Sequence, residues 1–167
     1  TLELATVGIL VGAGLGVPLG VWAAVRRGGL VDHLVRVMGL VGYSVPIFWL
    51  GLMGLVLFYA KLDWVAGPGR IDVSYEYSVT LESGFLLLDT ARQGQWDAFR
   101  NVLSHLILPA GLLGYFSLAY ISRMTRSFML NELAQEYVIA ARAKGLSETR
   151  IIWRHALRNA MVPLVTV

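Results

Sequence analysis

The chain alternates long uncharged blocks with charged ones. A membrane-spanning helix needs about 20 mostly apolar residues to cross a hydrocarbon core of about 30 Å. Leu4 to Val25 carries no charge, and neither does Val37 to Ala60. Val102 to Ile121 is apolar apart from Ser104, His105 and Ser117, and a further apolar run opens at Ala156. Buried helices of a soluble domain seldom run this far without a charge. The pattern therefore predicts an all-α, polytopic membrane protein. It has complete spans at 4–25, 37–60 and 102–121, a truncated one from 156, and connecting segments at 61–100 and 122–158.

Composition agrees. Of 167 residues, 56% are hydrophobic and 15% are charged, where a soluble domain carries about 25% charged residues. The mean hydropathy is +0.63. Cysteine is absent, which excludes disulfides, thiolate metal ligands and a cysteine nucleophile. The net charge of +3 is small and sits between apolar blocks, a topology signal rather than a nucleic-acid-binding surface. No initiator methionine or basic leader precedes the first apolar run, so the sequence reads as beginning inside a larger protein.

Loop charges set the expected orientation. Residues 26–36 hold Arg26, Arg27 and Arg36 against Asp32. Residues 61–100 hold four basic and six acidic groups, and residues 122–158 hold seven basic groups against three glutamates. Basic loops stay in the cytoplasm. Residues 26–36 and 122–158 are thus expected inside, and 61–100 outside with Thr1. The three segments alternate as three spans require.

Gly8, Gly12, Gly16 and Gly20 recur every four residues on one face of the first span. Small residues at that spacing let helix backbones approach closely in lipid, so the face is expected to pack against another helix. Val11 and Val21 are read as lying off this stripe and tolerant of change. No strand precedes Gly12, Gly14 and Gly16 and no βαβ unit surrounds them, so packing is favoured over a nucleotide-binding loop. Pro18, Pro46, Pro109 and Pro163 fall within or beside spans, where each removes one helical hydrogen bond. Tyr43 and Ser44, next to Pro46, form the most polar stretch inside a span. They either line a path, or Ser44 returns its hydrogen bond to its own helix. His33, His105 and His155 are far apart and lack paired ligands, so no metal site is read. The spans contain no carboxylate, against proton-coupled transport. No catalytic pair or cofactor motif is found.

In the 61–100 segment, Pro68 with Gly67 and Gly69 marks a turn. Tyr75 to Leu81 reads as a strand and Asp89 to Phe99 as a helix on the membrane surface. Trp64 and Trp96 read as aromatic anchors at the interface. In the 122–158 segment, Ser122 to Leu133 extends the third helix, and Glu136 to Lys144 forms a second. Tyr137, Ala140, Ala141 and Lys144 share one face of it, and Arg142 lies elsewhere. Gly145 is placed to end it as a C′ residue, and Ser147 to cap the next helix. Arg150, Arg154 and Arg158 follow as a stripe spaced every four residues. The small alanine face followed by glycine suits insertion into a groove on another protein.

These residues carry a resemblance. Ala141-Arg142-Ala143-Lys144-Gly145-Leu146-Ser147 and Arg154-His155-Ala156-Leu157-Arg158-Asn159 resemble the cytoplasmic coupling ("EAA") loop of the permease subunits of dipeptide, oligopeptide and nickel ABC importers. Thr1-Leu2-Glu3-Leu4, Gly16-Val17-Pro18-Leu19-Gly20, Arg26-Arg27-Gly28, Ser44-Val45-Pro46-Ile47-Phe48-Trp49-Leu50-Gly51 and His105-Leu106-Ile107-Leu108-Pro109-Ala110 resemble other stretches of the same family. Leu157-Arg158-Asn159 looks like the B-type partner of its heterodimer. Ile139 stands where the broader pattern has the leading glutamate of EAA, and Leu157-Arg158 where it has Leu-Pro.

The resemblance implies the core of a type I importer (MetI-like) transmembrane domain in a bacterial or archaeal inner membrane, without the family's first and last spans. It implies a second permease subunit, two ATP-binding cassette ATPases and an extracytoplasmic solute-binding protein as partners, with lipid around them and no nucleic acid. Glu136, Tyr137, Ala140, Ala141, Arg142, Ala143, Lys144, Gly145 and Leu146 would couple to the ATPase, Tyr43 and Ser44 would line the path, and the subunit itself would perform no chemistry. The competing classes are a carrier or channel working without ATPases, and a polytopic membrane enzyme. Intramembrane carboxylates would mark the first, a clustered catalytic pair the second.

Overall fold

A computed structural model describes residues 2–166; Thr1 and Val167, and with them the expected placement of Thr1, lie outside the described residues. The described residues form helices and no strands: α1 (Leu2–Val25), α2 (Leu30–Ser44), α3 (Ile47–Gly54), α4 (Val73–Glu76), α5 (Leu86–Arg92), α6 (Trp96–Leu133), α7 (Glu136–Ala143), α8 (Glu148–Arg150) and α9 (Leu157–Val165). Helix α3 runs on into a π-helical stretch, Leu55–Lys61, and a second one, Ile151–Ala156, joins α8 to α9. Helices α1 and α6 are long and apolar enough to cross a membrane. The pair α2 and α3 adds a third span if it is counted as one broken element.

The apolar run 37–60 is therefore not one helix. Val45 and Pro46 interrupt it, and Pro46 stands as the N-cap of α3 at φ −62° and ψ 132°. The residue before a proline is pushed out of the α region, so a sequence judged by hydropathy alone hides the break. Tyr75–Leu81 is not a strand. Residues 73–76 form the short helix α4, where Tyr75 N–H bonds Asp72 O and Ser78 N–H bonds Tyr75 O. Asp89–Phe99 is not one helix either. Helix α5 ends at Arg92, Gly94 takes φ +69°, and α6 starts at Trp96.

The chain forms two compact units, one of Thr1–Leu10 with Val45–Tyr115 and the other of Val11–Ser44 with Phe116–Val167. Helices α1 and α6 contribute to both.

In the second unit the glycine stripe of α1 lies against α6. A Cβ on Gly12 would stand 2.3 Å from Ser117 Cβ, one on Gly16 3.1 Å from Ile121 Cβ, and one on Gly20 2.6 Å from both Ser122 O and Thr125 Cβ. Such approach needs glycine, and in lipid it supplies the van der Waals contact that holds helices together. Beyond the stripe, Val21 and Ala24 join Met129, Ala156 and Ala160 in a buried cluster, flanked by Val17, Phe128 and Ile152. Val21 is thus a core residue, 2% exposed, and the expectation that it tolerates change is wrong. It lies one residue past Gly20, where the helix still faces its neighbour.

In the first unit, Gly8 approaches Leu113 Cβ to 3.0 Å and Gly54 approaches Leu108 Cδ1 to 2.9 Å. The 61–100 segment is tied down by buried polar groups. Asp89 accepts from Glu82 N–H and Ser83 N–H at 3.1 Å and from Ser83 Oγ at 2.6 Å. The Ser83 hydroxyl, with the two backbone N–H groups, holds the Asp89 carboxyl below its ordinary range. Glu3, buried at the start of α1, accepts from Leu87 N–H at 2.9 Å and from Arg70 Nη2 at 3.3 Å.

Candidate functional site

Helix α7 starts after Gln135, whose backbone is extended (φ −75°, ψ 151°). It ends in a Schellman closure. Gly145 N–H donates to Arg142 O at 2.9 Å, Leu146 N–H donates to Ala141 O at 3.2 Å, and Gly145 takes φ +78°. That left-handed position is why glycine follows the alanines. A clasp reinforces the turn from outside it, with Arg142 Nε and Nη2 donating to the two Glu148 carboxylate oxygens at 2.7 and 3.2 Å. The hydrogen bond from Arg142 lowers the Glu148 pKa, and the same bond raises that of Arg142. Arg142, which the sequence placed merely elsewhere on the helix, thus clamps the turn. Ser147 stands at the N-cap of α8 with extended backbone, but its side chain makes no capping bond. The basic stripe is interrupted too. Arg150, Arg154 and Arg158 are all exposed, but the π-helical stretch between them adds a residue per turn.

The face that α7 turns outward differs from the one read in the sequence. Val138 is fully buried, and Tyr137 and Ala141 are half-buried. Tyr137 donates its hydroxyl to Glu132 Oε2 at 2.7 Å, and burial together with that carboxylate raises its pKa. The exposed residues are Glu136, Ile139, Ala140 and Ala143, with Arg142 and Lys144 at the edge. They keep the i, i+3, i+4, i+7 spacing, one residue out of step with the expected face. The outcome is an amphipathic turn whose outer side is small at Ala140 and Ala143, beside Ile139, which is 60% exposed, and the charged Glu136.

A second arrangement, missed in the sequence, anchors the helix that carries α7. Asp32 is 1% exposed, and its carboxylate accepts from Gly28 N–H at 2.8 Å, from Arg36 Nη2 at 3.2 Å and from Arg126 Nε on α6. The Arg126 hydrogen bond, then the Gly28 N–H and the two guanidinium charges, outweigh burial and lower its pKa to about 2. Spacing alone shows only the local Asp32–Arg36 pair. Nothing in sequence links Asp32 to a residue 94 positions away.

Tyr43 and Ser44 are both exposed. Ser44 donates its hydroxyl to Leu40 O at 2.7 Å, the local alternative read in the sequence. The Arg123 guanidinium lies 4.3 Å from the Tyr43 ring centre and donates to its hydroxyl at 3.0 Å. No group of three or more metal-ligating side chains occurs among the described residues.

The family described as "Binding-protein-dependent transport system inner membrane component" matches residues 16–167. The chain is 47% identical over 167 residues to the "Di/tripeptide transport system permease protein DppB" of Pseudomonas aeruginosa (strain UCBPP-PA14), covering 100% of this chain and 49% of that protein. It is 45% identical over 168 residues to the "Dipeptide transport system permease protein DppB" of Escherichia coli (strain K12), covering 100% of this chain and 50% of that protein. A third relative, the "Probable D,D-dipeptide transport system permease protein DdpB" of Escherichia coli (strain K12), is 44% identical over 167 residues, 100% of this chain and 49% of that protein. The chain spans about half the length of the curated relatives it matches. With its apolar helices and its match from the glycine stripe through α9, the chain belongs to the family of binding-protein-dependent transport system inner membrane components.

Proposed function

We propose that the whole protein is a multi-pass permease subunit of an ATP-driven importer that carries small peptides across the cytoplasmic membrane. In this reading it pairs with a second permease, receives peptide from a solute-binding protein outside, and docks two ATPases inside. The observation that carries the reading is α7: a short helix between apolar elements, closed by Gly145, clasped by Arg142 and Glu148, presenting an outward face of Glu136, Ile139, Ala140 and Ala143. A face with two small residues, one exposed branched residue and a carboxylate at its start fits a groove on a partner. The names of the relatives favour peptide as cargo, and the family favours a binding protein and ATPase over an autonomous carrier.

The test is uptake and peptide-stimulated ATP hydrolysis by the assembled complex in vesicles. Ala140→Trp places a bulky ring on the outward face. Gly145→Val forces a β-branched residue to a φ of +78° where a Cβ meets no atom within 4 Å, so its effect comes from backbone strain alone. Both variants are expected to insert normally and to lose at least tenfold in uptake and in stimulated hydrolysis. Wild-type values for both would remove α7 as the coupling helix.

Topology follows from the same reading. Ser78 and Ser147 are both exposed and the chain has no native cysteine. With an impermeant thiol reagent on intact cells, the Ser78→Cys protein is expected to label and the Ser147→Cys protein to stay unlabelled. The reverse pattern overturns the orientation.

A further inference from the structure

The first unit holds two cavities that share walls. One, of about 230 Å³, is lined by Glu3, Arg70 and His105 among its polar groups. The other, of about 510 Å³, is almost wholly apolar and includes Phe48, Leu52 and Leu112. Leu4, Gly69, His105 and Pro109 line both, so the two chambers adjoin, one charged and the other apolar.

The charged end is built rather than incidental. Glu3 and His105 are buried. His105 Nδ1 lies 2.9 Å from Asn101 O, and its Nε2 lies 3.4 Å from Asp72 Oδ1. Asn101 in turn accepts from Asp72 N–H at 2.9 Å and donates to Asp72 Oδ2 at 2.6 Å. Among the described residues Arg70 spends only Nη2, on Glu3 and on Gly84 O, and its side chain is about half exposed. A guanidinium has five N–H donors, so most of this one's remain free to grip a carboxylate. The Glu3 carboxylate, with further lone pairs, offers an acceptor to an ammonium in the same space.

We propose that these adjoining chambers together are a binding site for a short zwitterionic peptide, with the peptide carboxylate on Arg70, its ammonium toward Glu3, and an apolar side chain among Phe48, Leu52 and Leu112. The assignment rests on the peptide-importer reading and adds to it a site on this subunit, where the α7 argument places only the ATPase contact. A detergent or lipid tail would fill the apolar chamber equally well but has no use for the paired opposite charges at its mouth.

The experiment is photolabelling of the assembled complex in nanodiscs with alanyl-4-benzoylphenylalanine, read by peptide mass mapping. Labelling is expected within 48–55. Alanyl-phenylalanine should compete, and its C-terminal amide should compete about tenfold more weakly because it lacks the charge that Arg70 takes. Arg70→Gln should cut labelling about tenfold and abolish the difference between the two competitors. Arg70→Lys should restore part of both, which a merely structural loss would not show. Leu52→Trp, a separate variant with the charged end intact, should block labelling by filling the apolar chamber. Labelling confined to the binding protein, labelling of this chain outside these chambers, or equal competition by acid and amide in the wild type overturns the site. Uptake of alanyl-phenylalanine by the same wild-type complex tests the importer reading separately. Uptake without labelling here discards the site alone, and no uptake discards both.

Discussion

Gly12→Leu is expected to abolish assembly of the subunit. A Cβ at residue 12 falls 2.3 Å from Ser117 Cβ and 3.0 Å from the Ser117 carbonyl carbon, neither of which is the loose end of a flexible side chain. The helices must separate before leucine fits. Overpacking of this kind costs about 1–3 kcal/mol in a yielding core, and more where backbone is the obstacle. Gly14 is the internal control, because a Cβ there meets no atom within 4 Å. Gly14→Leu should leave the yield of folded protein near wild type, while Gly12→Leu and Gly20→Leu reduce it severely. Fluorescence-detected size exclusion of the membrane extract reads the difference. Equal monodisperse peaks from the Gly12 and Gly14 variants would show that the stripe is not a packing seam.

The second large effect concerns Asp32. Asp32→Asn keeps the size of the side chain and an acceptor for Gly28 N–H. It leaves Arg126 and Arg36 without their counter-charge in a place where Asp32 itself is 1% exposed. Removing one partner of a buried pair costs about 3–5 kcal/mol. The variant should melt at a clearly lower temperature. The acid response gives an independent reading. The folded-state pKa of Asp32 is depressed, from 3.8 to about 2. Its contribution is therefore fully present above the unfolded value near 4 and is lost as pH falls toward 2. At neutral pH the contribution is constant. Wild type should lose stability across that acid window more steeply than Asp32→Asn, which has already lost the contribution at every pH. Identical melting temperatures at pH 7 would show that the Asp32–Arg126 link carries no weight.

Much of this was legible from spacing. Uncharged runs located α1 and the membrane-length part of α6, because hydropathy reports what lipid demands over 20 residues. The extension of α6 to Leu133, the span of α7 and the left-handed Gly145 also followed, since local backbone chemistry decides each of them. The break at Val45 and Pro46 was less legible, because hydropathy does not change across it. The outward face of α7 was misread by one residue. An eight-residue helix offers two nearly equal stripes, and burial of Val138 against neighbouring elements chose between them. The partners of Asp32 and Glu3 were invisible, since ion pairs that join residues 94 and 67 positions apart leave no local pattern.

The seam of Gly12, Gly16 and Gly20 has a mechanical consequence. Side-chain contacts in ordinary cores can yield by changing rotamer, but glycine has no rotamer to change. The α1 backbone meets backbone and Cβ atoms of α6 there, none of which moves with a rotamer, so the contact stays shut, slides as a rigid rail, or parts altogether. Bending in that unit is left to places where regular helical bonding is already relaxed, of which the π-helical stretch at Ile151–Ala156, directly after α7 and α8, is one.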